Sequence, residues 1–228
     1  MERIIVIDGT SNAGKTTLCE NIEKNIQNVA IVPGASLFAK INRERYPKIP
    51  AIPQSAKEEK ENQKFFFRLE LDRLIEANRL AKQGKTVFMD RGVLEILSVA
   101  YSFESINGWD GIYKNAKEFY GKFIAYANKM GIGLPNKHIC LLANYEEIKR
   151  RNKLRQKERG QLLSEDDWIE ANLINKQIEF FKRISVPENS DKVCWVNTNN
   201  TTKQEVLEEV CNLLRLKLKE YDKERNDD

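Results

Sequence analysis

Residues 4–16 read Ile4-Ile5-Val6-Ile7-Asp8-Gly9-Thr10-Ser11-Asn12-Ala13-Gly14-Lys15-Thr16. The first four residues form an unbroken apolar run, the pattern of a strand buried on both faces. After Thr17, apolar side chains fall at Leu18, Cys19, Ile22 and Ile26, which is helical spacing. Between strand and helix, positions 9–16 satisfy G-x-x-x-x-G-K-T, a phosphate-binding loop in the strand-to-helix setting that the motif requires. Gly9 and Gly14 let the backbone wrap a polyphosphate, with the N–H groups of Thr10, Ser11, Asn12 and Ala13 turned towards it. The helix that opens near Lys15 and runs on through Thr17 adds the positive end of its dipole. Lys15 is expected to reach the β- and γ-phosphates, and the Thr16 hydroxyl to coordinate Mg²⁺. The pattern predicts a nucleoside triphosphate, ATP, as a bound molecule.

The rest of the composition narrows the class. At 228 residues the chain has room for one full α/β domain, expected over 1–220, followed by a mostly charged tail at 221–228. No apolar run approaches the roughly 20 residues of a membrane span. The chain enters a strand at once, so no signal peptide is expected and a cytoplasmic location is. The four cysteines, Cys19, Cys140, Cys194 and Cys211, form no CxxC pair and sit in apolar stretches, as reduced buried thiols would. His138 is the single histidine, which argues against a histidine-based metal site and for a structural role. A net charge of +4 serves anionic nucleotides without implying DNA.

Further apolar runs at 29–32, 86–89, 138–143 and 193–196 alternate with helical patterns at about 15–27, 57–83, 93–104, 113–130, 145–158, 165–184 and 202–220. Strands alternating with helices predict an α/β fold: a five-stranded parallel sheet between two helical layers, the three-layer P-loop NTPase arrangement. Ligands bind such sheets at the carboxyl ends of the strands. The loop at 9–16 and the pair Asp90-Arg91 both belong to that edge. Residues 47–55, with Pro47, Pro50 and Pro53, read as a surface loop before a charged helix start.

Asp90-Arg91 closes the apolar run 86–89. A carboxylate there can hold Mg²⁺, and the neighbouring guanidinium can bind a phosphate or orient an acceptor hydroxyl. Upstream, Arg68 and Arg73 lie on a long helix, and either is a candidate for the acceptor cavity. Among the aromatics of 101–126, most suit a core, while Tyr101 and Trp109 are candidate walls of that cavity. The order of phosphate loop, arginine-bearing helix, strand ending Asp-Arg and then Ser98-Val99-Ala100-Tyr101 resembles the thymidylate kinase and deoxynucleoside kinase group. The resemblance implies that Arg91 and Arg73 serve the acceptor and that Asp90 is a Mg²⁺-site or catalytic carboxylate. It also marks a departure: that group carries an acid after the second strand, where this chain has Pro33-Gly34-Ala35-Ser36. Asp8 or Asp90 is then left as the base. The loop also resembles that of chloramphenicol phosphotransferases, which act on a small-molecule hydroxyl.

Arg151, Arg155 and Arg159 repeat every fourth residue and so share one helical face. Like charges at that spacing repel, and a triphosphate under a lid, expected at about 149–165, would offset the repulsion. No aromatics interleave the stripe, so nucleic acid is not indicated. In the kinases that the chain resembles, the first lid arginine packs near adenine and later ones approach the phosphates. That implies Arg151 first, then Arg155 or Arg159, with Gly160 as hinge. Ser164 with Asp167 resembles a capping box. The turn 196–202 is where related kinases cradle adenine, and Thr201 or Thr202 can cap the next helix.

These observations predict transfer of the γ-phosphoryl group of ATP, with Mg²⁺, to a nucleoside monophosphate or a nucleoside. A kinase for another small-molecule hydroxyl, such as an antibiotic or sugar, and a non-catalytic nucleotide-binding regulator are the alternatives. A GTPase is excluded by spacing, since Asn136-Lys137-His138-Ile139 lacks the final acid of the guanine reader. Oligomeric state stays open, a homodimer included.

Overall fold

The computed structural model describes residues 3–159, 170–183 and 192–219. Five strands, β1 (Arg3–Gly9), β2 (Val29–Val32), β3 (Thr86–Asp90), β4 (Lys137–Leu142) and β5 (Val193–Asn197), form one parallel sheet in the order β2-β3-β1-β4-β5. The helices are α1 (Lys15–Asn25), α2 (Ala35–Ile41), α3 (Ala56–Lys82), α4 (Val93–Asn107), α5 (Ile112–Lys129), α6 (Tyr145–Arg159), α7 (Ala171–Arg183) and α8 (Lys203–Leu214). No helix among the described residues is long and apolar enough to cross a membrane.

The run at the centre of β1 explains the layers. Side chains along a strand alternate between faces. Ile4 and Val6 enter one core, with α3, α4, α5 and α7, whereas Ile5 and Ile7 enter the other, with α1 and α8. All four are at most 2% exposed, so each contributes about 1.5–3 kcal/mol of burial.

The elements follow the sequence pattern, with one addition and one early stop: the helix expected to run to 220 ends at Leu214, where Arg215 turns into the left-handed region at φ 53°. Helix α2 at 35–41 was not expected, because its Ala35-Ser36-Leu37-Phe38-Ala39 segment is short and only Phe38 and Ala39 are buried. At α8 the cap resolves to Thr202, whose hydroxyl and Glu205 form a reciprocal capping box. All four cysteines are free, three of them buried. The segment 160–165 expected to finish the lid, Gly160, the Ser164–Asp167 capping box and the tail at 221–228 lie outside the described residues.

Gly9 is required for a reason the loop motif does not contain. Its φ is 130°, and a Cβ there would stand 2.0 Å from the Leu141 carbonyl oxygen of β4. Gly14 has φ 99° and starts α1.

Arg73 of α3 is 0% exposed, which corrects its expected place in the acceptor cavity. Its Nε donates to Pro33 O at 3.0 Å, beyond the end of β2. Its Nη2 donates to Asp90 O at 2.7 Å and Arg91 O at 3.0 Å, at the end of β3. Its Nη1 pairs with Glu70 one turn back. One guanidinium therefore ties two strand ends to the longest helix and satisfies backbone carbonyls that the sheet leaves open. Arg73→Met should destabilise the protein by about 3–5 kcal/mol, seen as a lower urea midpoint with unchanged slope. Adding Glu70→Leu should recover only part of the loss, since the three carbonyls stay without a donor. An unchanged midpoint in Arg73→Met would contradict this assignment.

Candidate active site

The β1–α1 loop is held from several sides. Thr10 N donates to Leu141 O at 3.1 Å, and Ser11 N donates to Gln177 Oε1 of α7 at 3.0 Å. Thr10 Oγ1 accepts from Ala143 N. Lys15 is 3% exposed, and its Nζ donates to Gly9 O at 2.9 Å and Thr10 O at 2.6 Å. Burial lowers the Lys15 pKa to about 8, against the opposing pull of Glu95, whose Oε2 lies 3.9 Å away. Of the N–H groups expected to face a polyphosphate, those of Thr10, Ser11 and Ala13 are instead bonded to Leu141 O, Gln177 Oε1 and Thr10 O, so the loop group poised for an anion is the buried Lys15 ammonium, whose charge an anion would balance.

Across the strand ends, Asp90 is 5% exposed and its Oδ2 accepts from the Thr16 hydroxyl at 2.8 Å. Asp90 Oδ1 is buried and makes no hydrogen bond. Arg91 adopts φ 70°, the left-handed region that a non-glycine residue enters at a cost. Its N–H donates to Ile7 O at 2.9 Å, and its Nη1 pairs with Glu95 one turn into α4. The Glu95 carboxylate beside it holds the Arg91 pKa above its ordinary value. Glu95 Oε2 is buried without a hydrogen bond. The loop, Asp90-Arg91 and Glu95 thus converge at the carboxyl edge of the sheet.

From α6, Arg151 donates from Nη1 to Ala13 O at 3.0 Å, from Nη2 to Thr198 O, and from Nε to Glu147 at 2.7 Å. It bolts α6 to the loop and to the turn after β5. Arg155 Nη1 donates to Asn12 Oδ1 at 3.3 Å, and its buried Nε makes no hydrogen bond. The Arg159 side chain lies outside the described ones.

Several of these groups, though not Lys15 or Arg151, line a cleft of about 570 Å³. Its floor is Ser11, Asn12, Thr16, Asp90, Arg91, Gly92 and Glu95. One wall is a stripe of α3, namely Glu59, Asn62, Gln63, Phe66 and Glu70, and the other is Gly34–Leu37 with Ile49–Pro53. Ile96 and Val99 of α4, and Arg155, complete the lining.

Several expected residues are elsewhere. Asp8 is 0% exposed: Oδ1 accepts from Gly92 N at 3.0 Å and Oδ2 lies 2.8 Å from His138 Nδ1. With both oxygens engaged inside the sheet, Asp8 is not placed to take a proton in the cleft. Arg68 is exposed on the outer face of α3 and does not line the cleft. Tyr101 donates to Glu179 Oε1 at 2.7 Å and packs on Tyr113 and Phe180, between α4 and α7. Trp109 sits against Phe103 beyond the end of α4. Neither is a wall of the cleft.

The α3 stripe was missed. Its signal is present in the sequence, since 59, 63, 66 and 70 recur at helical spacing and mix carboxylates with an aromatic. Glu95 was missed because only the fold shows that the first turn of α4 faces Lys15.

No protein-family model matches the sequence, and no curated protein does. Solved structures do match. Thymidylate kinase from Candida albicans, whose description cites broad substrate specificity, superposes with TM-score 0.64 at 14% identity over 93% of this chain and 91% of that one. The fold is that of a P-loop kinase. Deoxyadenosine kinase from M. mycoides, in a structure with products dCMP and a flexible dCDP bound, gives TM-score 0.50 at 20% identity over 93% of this chain and 98% of that one.

The lowered Lys15 pKa has a sign that stability can reveal. Its charged form is disfavoured in the fold, so the penalty is full below about pH 8 and fades as pH rises from 8 towards 10.5. Lys15→Met lacks that penalty. Between those pH values the parent should gain on the order of 2–3 kcal/mol relative to Lys15→Met, read from urea midpoints. A constant difference would place the Lys15 pKa in its ordinary range.

Proposed function

We propose that the protein is an ATP-dependent kinase that transfers the γ-phosphoryl group to the hydroxyl of a nucleoside. The kinase fold, the loop and the lid arginines support the donor half. The acceptor half rests on one observation. The cleft carries four carboxylates, Glu59, Glu70, Asp90 and Glu95, against the guanidinium groups of Arg91 and Arg155, and Arg91 is already paired with Glu95. A monophosphate acceptor brings two negative charges and calls for converging free guanidinium groups. A neutral hydroxyl calls for a carboxylate within hydrogen-bond reach. Between a monophosphate and a nucleoside, the cleft therefore favours the nucleoside.

Mg²⁺ fits the residues present. Thr16 Oγ1 and Asp90 offer hard oxygen donors, and the buried Asp90 Oδ1 lacks a hydrogen bond. Among the described residues no group of three or more His, Cys, Asp or Glu converges, as suits an ion held mostly by phosphates and water. Thr16 and Asp90 would hold it, and when bound it neutralises oxygens of the β- and γ-phosphates.

In the chemical step, Glu95 Oε2 takes the proton of the acceptor hydroxyl. The hydroxyl oxygen bonds to the γ-phosphorus as the bond from that phosphorus to the β-bridging oxygen breaks, and ADP leaves. Lys15 and Arg155 stabilise the charge on the moving group. Arg151 and the turn at Thr198 hold the adenine side.

Glu95→Gln should lower kcat for nucleoside phosphorylation by about 10²–10⁴-fold with little change in KM for ATP, measured by ADP release. Unchanged kcat would remove Glu95 as the base. Absence of nucleoside-stimulated ADP release in the parent enzyme would overturn the nucleoside acceptor itself.

A further inference from the structure

Glu59 is a carboxyl group 4% exposed that nonetheless lines the cleft. It lies 11 residues before Glu70 on α3, an axial rise of about 16 Å, and so at the end remote from Asp90 and Lys15. Between them stands Phe66, an aromatic face on the same wall.

Hydrogen bonds fix the direction of this corner. Asn115 Nδ2 donates to Gln63 Oε1 at 2.7 Å, and Gln63 Nε2 donates to Glu59 Oε1 at 3.0 Å and to Ile112 O at 3.2 Å. Both amide protons of Gln63 are thereby used and its orientation is set. Glu59 is the terminal acceptor of the network. Among the described residues its only donor is Gln63, and no cation pairs with it. Asn62 Nδ2 donates to Ala51 O at 2.9 Å, which seats the Ile49–Pro53 loop over this end of the cleft. A buried carboxyl group with one donor is costly unless another arrives.

Resting on the nucleoside reading above, we infer that Glu59 selects acceptor bases that carry an exocyclic amino group, adenine and cytosine in particular. Their amino N–H donates to the carboxyl oxygen that Gln63 leaves free, whereas a keto oxygen at the same place meets it acceptor to acceptor. Burial pushes the Glu59 pKa up to about 7. The discrimination therefore belongs to the ionised form, above about pH 7, since a protonated carboxyl would donate to a keto oxygen and accept from the ring N–H beside it. Phe66 supplies a surface for the base to stack on.

The test is run well above about pH 7, where Glu59 is ionised, with acceptor pairs that exchange the amino group for a keto oxygen and the adjacent ring nitrogen for an N–H: deoxycytidine against deoxyuridine, and deoxyadenosine against deoxyinosine. In the parent enzyme kcat/KM should favour the amino member of each pair by about 10²-fold or more, because the keto partner leaves the buried carboxyl unpaired. Glu59→Gln, whose amide can donate to a keto oxygen, should cut that ratio by at least about tenfold. Equal use of the pair members, or preference for the keto member, would overturn the role of Glu59 while leaving the nucleoside acceptor in place. An unchanged ratio in Glu59→Gln with a parental melting temperature would overturn it too. Failure to phosphorylate any nucleoside would overturn both. The parental ratios decide the question even where Glu59→Gln does not fold.

Discussion

The site depends on where two strand ends are held, and Arg73 holds them. The carboxyl edge of a parallel sheet exposes carbonyls with no neighbour to pair them. Arg73 donates to those of Pro33, Asp90 and Arg91 from inside the fold, and Glu70 compensates its charge. Asp90 is thereby set where Thr16 can bond it. The following residue turns through φ 70°, which sends Gly92 N towards Asp8 and starts α4 so that Glu95 faces Lys15. A helix arginine thus works through backbone carbonyls, not by touching a ligand.

The cleft then divides by charge. On the loop side Arg155 lines the cleft, with the Lys15 ammonium buried in the loop behind it at a helix start, a setting suited to a polyanion. On the α3 and α4 side stand Glu59, Glu70 and Glu95. The two sides meet at the Arg91–Glu95 pair and the Lys15–Glu95 approach of 3.9 Å. Such a division suits a charged donor on one side and a neutral acceptor rich in hydrogen-bond donors on the other. It also leaves buried oxygens of Asp90 and Glu95 without hydrogen bonds, and unsatisfied polar atoms of this kind concentrate where a ligand or ion completes them.

How much was legible in the sequence depended on range. The apolar run at 4–7, the loop at 9–16 and the helical stripes are local patterns, and they sufficed for the sheet, its parallel sense and the two helical layers. The placing of Asp90-Arg91 beside the loop followed from the rule for sheet edges. Direction across elements was not legible. Arg73 and Arg68 are five residues apart on α3, yet one is fully buried and the other exposed, because rotation of α3 against the sheet is set by packing. Asp8 ends an apolar run like many site acids, but His138 and Gly92 claim both its oxygens. Tyr101 and Trp109 are spent in contacts between helices. Glu59 and Glu95 carried no motif, and only the closure of α3 and α4 around the cleft brings them to it.

The central claim is that the acidic cleft takes a neutral hydroxyl beside a triphosphate. The most direct measurement is mass spectrometry of products after ATP and Mg²⁺ are incubated with an equimolar mixture of deoxynucleosides and their 5′-monophosphates, in which the nucleosides carry a heavy-isotope label. The account predicts labelled monophosphates formed at the expense of labelled nucleosides. Unlabelled diphosphates with the labelled nucleosides untouched would contradict it.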